Sequence, residues 1–474
     1  MQPSTRTPTS SLRHRVVGVD QLVPLLDGTR VPYVNLDNAA STPPLKDVLE
    51  LVNEFMPYYS SVHRGTGFKS RLSTEAYEHS RHVVGRFVGA DPATNTVVFG
   101  KNTSEALNKL AYRFELEPQQ VVVSTQMEHH SNDLPWRPHA EVVHVRSKPC
   151  GRLDEDHLDE ILAEYGDRIA VLTVTAASNV TGYIQPVHRL ARKAHAVGAS
   201  IVVDAAQIAA HRRIDMRPDD DPEHLDFVTI AAHKMYAPLG TGALIGRRDF
   251  FETSAPEYRG GGTVALVTLD DVAWADAPER EEAGSPNVVG AVAMARAIEV
   301  LESAGMEAIA SHEAQLLRYA LAKLSDLPGV VIYGESDPDL AVAEKVGVVP
   351  LNVDGVPHAL AAAIAGYEGG IGVRNGCFCA HPYVVRLLDV GPEQVQEYQT
   401  QVLSGDRSQL PGMVRMSIGC YNSEGDIDRL VSMLGRIAEG SYEGRYEVDP
   451  ASGDYTPEGY SEPLAEFFPW LAGA

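Results

Sequence analysis

The sequence predicts an α/β fold, with a large domain built on a mostly parallel central sheet and a smaller α+β domain towards the C-terminus. Three observations carry this. Short β-branched runs alternate with helical patterns from about residue 36 to residue 290, as stacked βαβ units require. No Pro, Gly or Ser-rich linker interrupts that rhythm. After the turn Gly284-Ser285-Pro286-Asn287, long helices and separated strands replace it.

In chain order, strands are expected at Thr96 to Phe99, Gln120 to Ser124, Ile169 to Thr175, Ser200 to Asp204 and Phe227 to Ile230. Helices follow at Thr103 to Tyr112 and Val187 to Val197, each entered by a residue that caps or starts a helix. The second lobe is expected to hold helices Val288 to Glu302 and Glu307 to Leu324, then strands near Val330 to Tyr333 and Val346 to Val353. This divides the chain into residues 1–35, a tail and a segment packing on the small domain; 36–290, the large domain; 291–440, the small domain; and 441–474, an acidic aromatic tail. Residues 441–474 contain Arg445 as their one basic residue, with Phe467, Phe468 and Trp470 near the end, and are expected to dock by their aromatics. The first 19 residues carry Arg6, Arg13 and Arg15 without an acid, but lack the apolar face of a transit peptide, so a loose tail is expected.

The chain of 474 residues has 40 Lys and Arg against 64 Asp and Glu, a formal charge of −24. That sign excludes a protein that wraps nucleic acid, and an anionic ligand needs a local basic or helix-terminal site. No window approaches a membrane span and no apolar run near the start resembles a signal peptide, so a cytoplasmic protein with no membrane partner is expected. The four cysteines, Cys150, Cys377, Cys379 and Cys420, are too few for a disulfide framework. Cys150 and Cys420 read as small buried hydrophobes.

Chemistry gathers at the carboxyl ends of the expected strands, where open parallel sheets bind ligands. Val202-Val203-Asp204 ends an apolar run in a carboxylate, and Ala231-Ala232-His233-Lys234 ends another in a lysine. Singly, these read as a helix cap and a solvated loop lysine. Together they meet two needs of pyridoxal phosphate: a lysine that forms an imine with its aldehyde, and an acid that keeps the pyridine nitrogen protonated. Phe99 to Ala106 reads as strand, turn and helix start, which aims backbone N–H groups and the Thr103 and Ser104 hydroxyls at one spot, a phosphate cradle. On its own, Thr103 reads as an ordinary N-cap. Met127 to Asn132 follows a strand and offers His129 as a ring to lie over the cofactor. His129 and His130 find no partner at the spacing of a zinc motif, and no metal is expected.

Further segments join these in a recognisable order: Tyr33 to Thr42, Val62-His63-Arg64-Gly65, Gln126 to Asn132, Ser178 to Gly182, Val202 to Gln207, His233 to Tyr236, Gly260-Gly261-Gly262 and Ala283 to Asn287. The set resembles class V aminotransferase-fold enzymes, within them the cysteine desulfurase and selenocysteine lyase branch, and covers roughly residues 30 to 440. Val373 to Ala380 resembles that branch's Arg-x-Gly-x-x-Cys-Ala segment. The resemblance implies pyridoxal phosphate fold type I, like aspartate aminotransferase, and a homodimer. It implies that Lys234 carries the cofactor, Asp204 pairs with its ring nitrogen, Gln207 contacts its phenolic oxygen and His129 stacks on the ring. Thr103, Ser104 and His233 then hold the phosphate, with Ser285 reaching across a dimer interface. Asn179 and Arg415 clamp the substrate carboxylate, with Arg374 close to the cysteine loop. The implied reaction converts L-cysteine to L-alanine and leaves a persulfide on Cys379 for a sulfur-acceptor protein. The alternative is another class V reaction in specialised metabolism: a carbon–sulfur lyase, selenocysteine lyase, epimerase or aminotransferase.

An unassisted thiol is only a few per cent thiolate near neutral pH, and Arg374 and His381 are near enough in sequence to assist Cys379. Cys377 is open to other readings: a resolving thiol, or, as a pair with Cys379, a metal site or a redox couple. Three departures from the family pattern stand out. Ala231 occupies a position usually filled by a hydroxyl residue, Cys377-Phe378 replaces the usual pair before the nucleophile, and the 35 residues between Cys379 and Arg415 form an insertion near 384–412 with a helix expected from Gly391 to Ser404.

Overall fold

The structure, a computed structural model, describes residues 12–63 and 65–472. The readings of residues 1–11 and of Arg64 in the Val62 to Gly65 motif fall outside the described residues. Seven strands form the central sheet, in the order Asn95–Gly100, Gly242–Arg247, Phe227–Ala231, Ser200–Asp204, Ile169–Thr175, Val121–Thr125 and Glu141–Val145. All neighbours are parallel except Gly242–Arg247, which runs antiparallel to both partners. The five strands read from the sequence are present. Gly242–Arg247 and Glu141–Val145 were not expected: the first begins inside a glycine-rich turn signal, and the second is a half-exposed edge strand bearing Glu141 and His144.

Side chains alternate between two cores. Val97, Phe99, Val121, Val123, Ile201 and Val203 enter one, while Val98, Val122 and Val202 enter the other. Burial on both faces is why these strands read as continuous apolar runs. The helices Lys46–Phe55, Phe68–Phe87 and Val288–Ala304 pack on the first face, and Thr103–Arg113 with Trp136 and Phe251 on the second. Val288–Ala304, read from the sequence as the start of the second lobe, therefore belongs to the large core. It is apolar nearly all round and so gives no sequence signal of which body it covers.

A four-stranded antiparallel sheet, ordered Val330–Ile332, Val348–Val353, Met413–Ser417 and Arg374–Gly376, carries a separate core that includes Leu317, Leu321, Ile364, Ile427 and Leu434. Val34–Asn35 lies parallel to Ile371–Gly372, and Val34 and Leu36 enter this same core. Residues 12–19, expected to be loose, are docked instead. Leu12 and Val16 are buried in the large core, and Arg13 pairs with Asp426 at 3.1 Å.

The helix Pro392–Leu403 forms as expected and buries none of its residues. Tail residues 446–457 form a hairpin, Tyr446–Val448 against Tyr455–Pro457. Glu368 anchors its approach by accepting from the Glu443 and Gly444 N–H groups and the Tyr446 hydroxyl. Tyr446 and Tyr460 pack their rings against Tyr367. The tail thus docks through its tyrosines, whereas Phe468 is exposed and Trp470 is 81% exposed.

Candidate active site

A cavity of about 300 Å³ opens at the carboxyl ends of the strands Ile169–Thr175, Ser200–Asp204 and Phe227–Ala231. Thr103, Ser104, His129, Asn179, Asp204, Gln207, His233, Lys234, Arg374, Cys379 and Arg415 all line it. Ser285, the remaining expected contact, is exposed and is not among the lining residues.

The cradle forms where Asn95–Gly100 turns into Thr103–Arg113. Asn102, not Thr103, caps this helix, accepting from the Glu105 N–H at 2.9 Å. Thr103 at the first helical position is thereby released from capping, and its Oγ1 is buried without a hydrogen-bond partner. Gly242 permits the approach, since a Cβ there would lie 2.6 Å from the Asn102 backbone. The Ser104 and Ser131 hydroxyls meet at 2.5 Å. Ala231 presents only a methyl group, and Ser131, unremarked in the sequence, contributes a hydroxyl to the same wall.

Lys234 follows Phe227–Ala231 in a single 3-10 turn and is half-buried. Desolvation pulls its amine down to about 8, against the opposing pull of Asp204. Lys234 Nζ donates to Gln207 Oε1 at 3.3 Å. Gln207 is oriented from behind: its Nε2 lies 3.2 Å from His211 Nε2, and His211 Nδ1 lies 2.9 Å from Glu313. The carboxylate requires a proton on Nδ1, which leaves Nε2 free to accept from Gln207. Asp204 is fully buried, and desolvation raises its pKa, so its charge calls for a nearby cation.

His129 Nδ1 accepts the Ser131 N–H at 3.1 Å, which leaves Nε2 protonated. Desolvation, reinforced by Lys234, depresses its pKa to about 3, so the ring is neutral. The neighbouring Glu128 is buried, accepting from Thr125 and from Asn132 at 2.6 Å each, and burial raises it to about 8. His233 is likewise held neutral by desolvation, at about 4, while its carbonyl accepts from the Thr42 N–H and hydroxyl.

On the opposite wall Arg415 is 2% exposed. It donates to Asp37 at 2.9 Å and to the Asn179 carbonyl at 3.0 Å, stands 4.8 Å from the Phe378 ring centre, and keeps a buried Nε without a partner. Asn179 in turn donates to the Phe378 carbonyl at 2.7 Å. Arg374 pairs with the other oxygen of Asp37 at 2.9 Å. Asp37 escaped notice within the Tyr33 to Thr42 motif because its role depends on two arginines far away in sequence.

Phe378 and Cys379 both have positive φ, 50° and 55°, a conformation that costs non-glycine residues energy and that neighbouring contacts must hold. Phe378 and Cys377 anchor the turn in an apolar cluster with Met127, Tyr183 and Tyr383, and Cys379 is exposed. Cys377 is a buried thiol that donates to the Pro411 carbonyl, and burial pushes it up to about 12, so it is no ready thiolate. His381, expected to assist the thiol, is engaged by another ring. It stacks on His130 at 4.9 Å with Nδ1 3.1 Å from His130 Nε2, and desolvation lowers both. The cations within electrostatic reach of Cys379 are Lys234 and Arg415. Cys420 is buried as expected, but Cys150 is exposed on a turn beside Arg152.

The aminotransferase class-V profile matches residues 34–430, and the chain belongs to that family. It is 33% identical over 423 residues to a cysteine desulfurase of Haloferax volcanii, covering 87% of this chain and 91% of the relative. Among solved structures it resembles a cysteine desulfurase from Thermococcus onnurineus, at 30% identity and a TM-score of 0.78, covering 93% of this chain and all of the other. A cysteine desulfurase from Escherichia coli aligns at 27% identity and a TM-score of 0.74, covering 91% and 98%.

Enzymes of this family generally use pyridoxal phosphate, and the residues present fit it. The partnerless Thr103 Oγ1 at a helix start suits a phosphate oxygen. The desolvated Lys234 amine suits the aldehyde, and buried Asp204 suits a protonated ring nitrogen.

Proposed function

We propose that this chain is a pyridoxal phosphate-dependent cysteine desulfurase, which converts L-cysteine to L-alanine and leaves a persulfide on Cys379. The observation that carries the reading is one cavity lined by the desolvated Lys234 amine, the Arg415 and Asn179 pair and the exposed Cys379 thiol. Bound pyridoxal phosphate supplies an aldehyde for the substrate amine and a ring that takes up and returns an electron pair. Thr103, Ser104 and His233 would hold its phosphate, Asp204 would keep its ring nitrogen protonated, and neutral His129 would stack on the ring. Arg415, whose fork matches a carboxylate, and Asn179 fix the substrate carboxylate. Lys234 moves the α-proton. The Cys379 thiolate then takes the substrate sulfur: a sulfur–sulfur bond forms on the enzyme as the substrate carbon–sulfur bond breaks, and a proton goes to the alanine carbon.

The enzyme works as a homodimer, in which Ser285 contacts the phosphate across the interface. The exposed hairpin Val264–Val267 and Val272–Trp274, with Leu266 and Leu269 outward, supports a covering second copy. Among the described residues no helix is long and apolar enough to cross a membrane, in keeping with a cytoplasmic enzyme that hands sulfur to an acceptor protein. The test is mass spectrometry of the Cys379 peptide after one turnover with L-cysteine. A mass gain of one sulfur on Cys379, absent from Cys379→Ser, supports the reading. Full turnover of another amino acid by Cys379→Ser assigns the chain to a different class V reaction.

A further inference from the structure

At the amino-terminal end of the central sheet, opposite the cavity, His195, His224 and Asp226 converge. His195 ends the helix Val187–His195, and Asp226 directly precedes the strand Phe227–Ala231. One ligand atom of each lies within 4.8 Å of the other two.

Hydrogen bonds fix which ring nitrogens are free. His195 Nδ1 lies 2.9 Å from the Pro222 carbonyl oxygen, and His224 Nδ1 lies 2.7 Å from that of Asp221. A carbonyl oxygen can only accept, so each Nδ1 carries the proton. Each Nε2 then faces Asp226, at 2.9 Å from Oδ2 for His195 and 3.2 Å from Oδ1 for His224. In a neutral ring that nitrogen bears a lone pair, which a carboxylate oxygen repels at such distances. Positive charge must lie between them, either as a second proton on each ring or as one cation. The rings stack 4.3 Å apart at 22°, where two imidazolium charges repel each other. They would share one carboxylate, which the Ile201 N–H already engages at 2.8 Å. Of the charged groups around the cluster, Asp219 acts on His224 and Arg247 faces Asp226.

We propose that His195 Nε2, His224 Nε2 and an Asp226 oxygen form a site for a divalent transition-metal cation, with Zn²⁺ the best match. Two imidazoles and a carboxylate with water in the fourth position are an ordinary zinc set, and a backbone carbonyl on the far nitrogen is the usual support of a metal-bound histidine. Zinc bonds of about 2.0–2.1 Å in a tetrahedron place ligand atoms roughly 3.3 Å apart; here Asp226 lies 2.9 and 3.2 Å from the two rings and all three ligand atoms fall within 4.8 Å of one another. The side chains are 20%, 14% and 11% exposed, so an ion and its water enter without unfolding. The ion would brace the helix Val187–His195 against the strands Ser200–Asp204 and Phe227–Ala231, which end at Asp204 and lead into Lys234.

The test uses tag-free, chelator-stripped holoenzyme titrated with Zn²⁺ against a chromophoric chelator, beside the His195→Gln/His224→Gln double variant and Asp226→Asn. The parent should bind one Zn²⁺ per chain about 100-fold more tightly than the double variant, and the ion should raise its melting temperature alone. Equal affinities, or no saturable binding by the parent, overturn the proposal. Co²⁺ on the unaltered protein gives a readout that does not depend on variants folding. Its first equivalent should give visible bands without thiolate charge transfer, whereas a thiolate band would place the ion on the cysteines and overturn the proposal.

Discussion

Arg374 and Arg415 stand opposite each other in register on antiparallel strands, and the Asp37 carboxylate bridges them, one oxygen to each at 2.9 Å. Like charges placed so repel, and Asp37 turns the repulsion into a rigid pair. Because Arg415 already donates to Asp37 and to Asn179, its orientation at the cavity is set before any carboxylate arrives. Asp37→Asn should therefore lower kcat/KM for cysteine by about tenfold, about 1.4 kcal/mol, chiefly through KM. Steady-state kinetics over a range of cysteine concentrations checks this, and the visible absorption of the lysine-bound cofactor, at roughly 420 nm, should be retained.

The depressed pKa of Lys234, about 8, sets a pH profile for cofactor loading. Imine formation needs the neutral amine, whose fraction falls as pH drops below that value. In cofactor-free protein mixed with pyridoxal phosphate, the second-order loading rate should rise roughly tenfold per pH unit below 8 and level off above it. Stopped-flow absorbance near 420 nm from pH 6 to 9.5 measures it. A plateau reached only near the ordinary lysine value would show that burial does not shift the amine.

Thiol reactivity should divide by burial, not by proximity in sequence. With limiting iodoacetamide near neutral pH, Cys379 and Cys150 should label, while Cys377 and Cys420, buried and pushed up to about 12, should not until the protein unfolds. Peptide mass spectrometry reads this directly. Cys377→Ala should keep activity within about twofold, because it removes no group that faces the cavity.

Glu368 holds the tail, so Glu368→Gln should weaken its acceptance from the two N–H groups and the Tyr446 hydroxyl. Limited proteolysis should then release residues beyond about 441 severalfold faster, with alanine production unchanged.

The parallel strands were legible in the sequence because burial on both faces writes itself as unbroken apolar runs, as in Ile169–Thr175. Asp204 and Lys234 were legible because each ends such a run abruptly. Long-range pairings were not. Asp37 gains its role from arginines more than 300 residues away, and Glu313 acts on Gln207 only through His211. Cys150 read as a core residue because composition alone does not place a turn, and only the structure, with Asn102 as the cap, removes the plain N-cap alternative to a phosphate contact at Thr103.

Alanine release, measured by mass spectrometry, from purified holoenzyme given L-cysteine and a reducing thiol without oxygen decides whether Cys379 carries a desulfurase reaction. Alanine should accumulate catalytically, and Cys379→Ser should lose this while keeping its cofactor absorption at roughly 420 nm. A yellow parent protein that makes no alanine, or a Cys379→Ser protein that makes it as fast as the parent, would contradict the desulfurase reading.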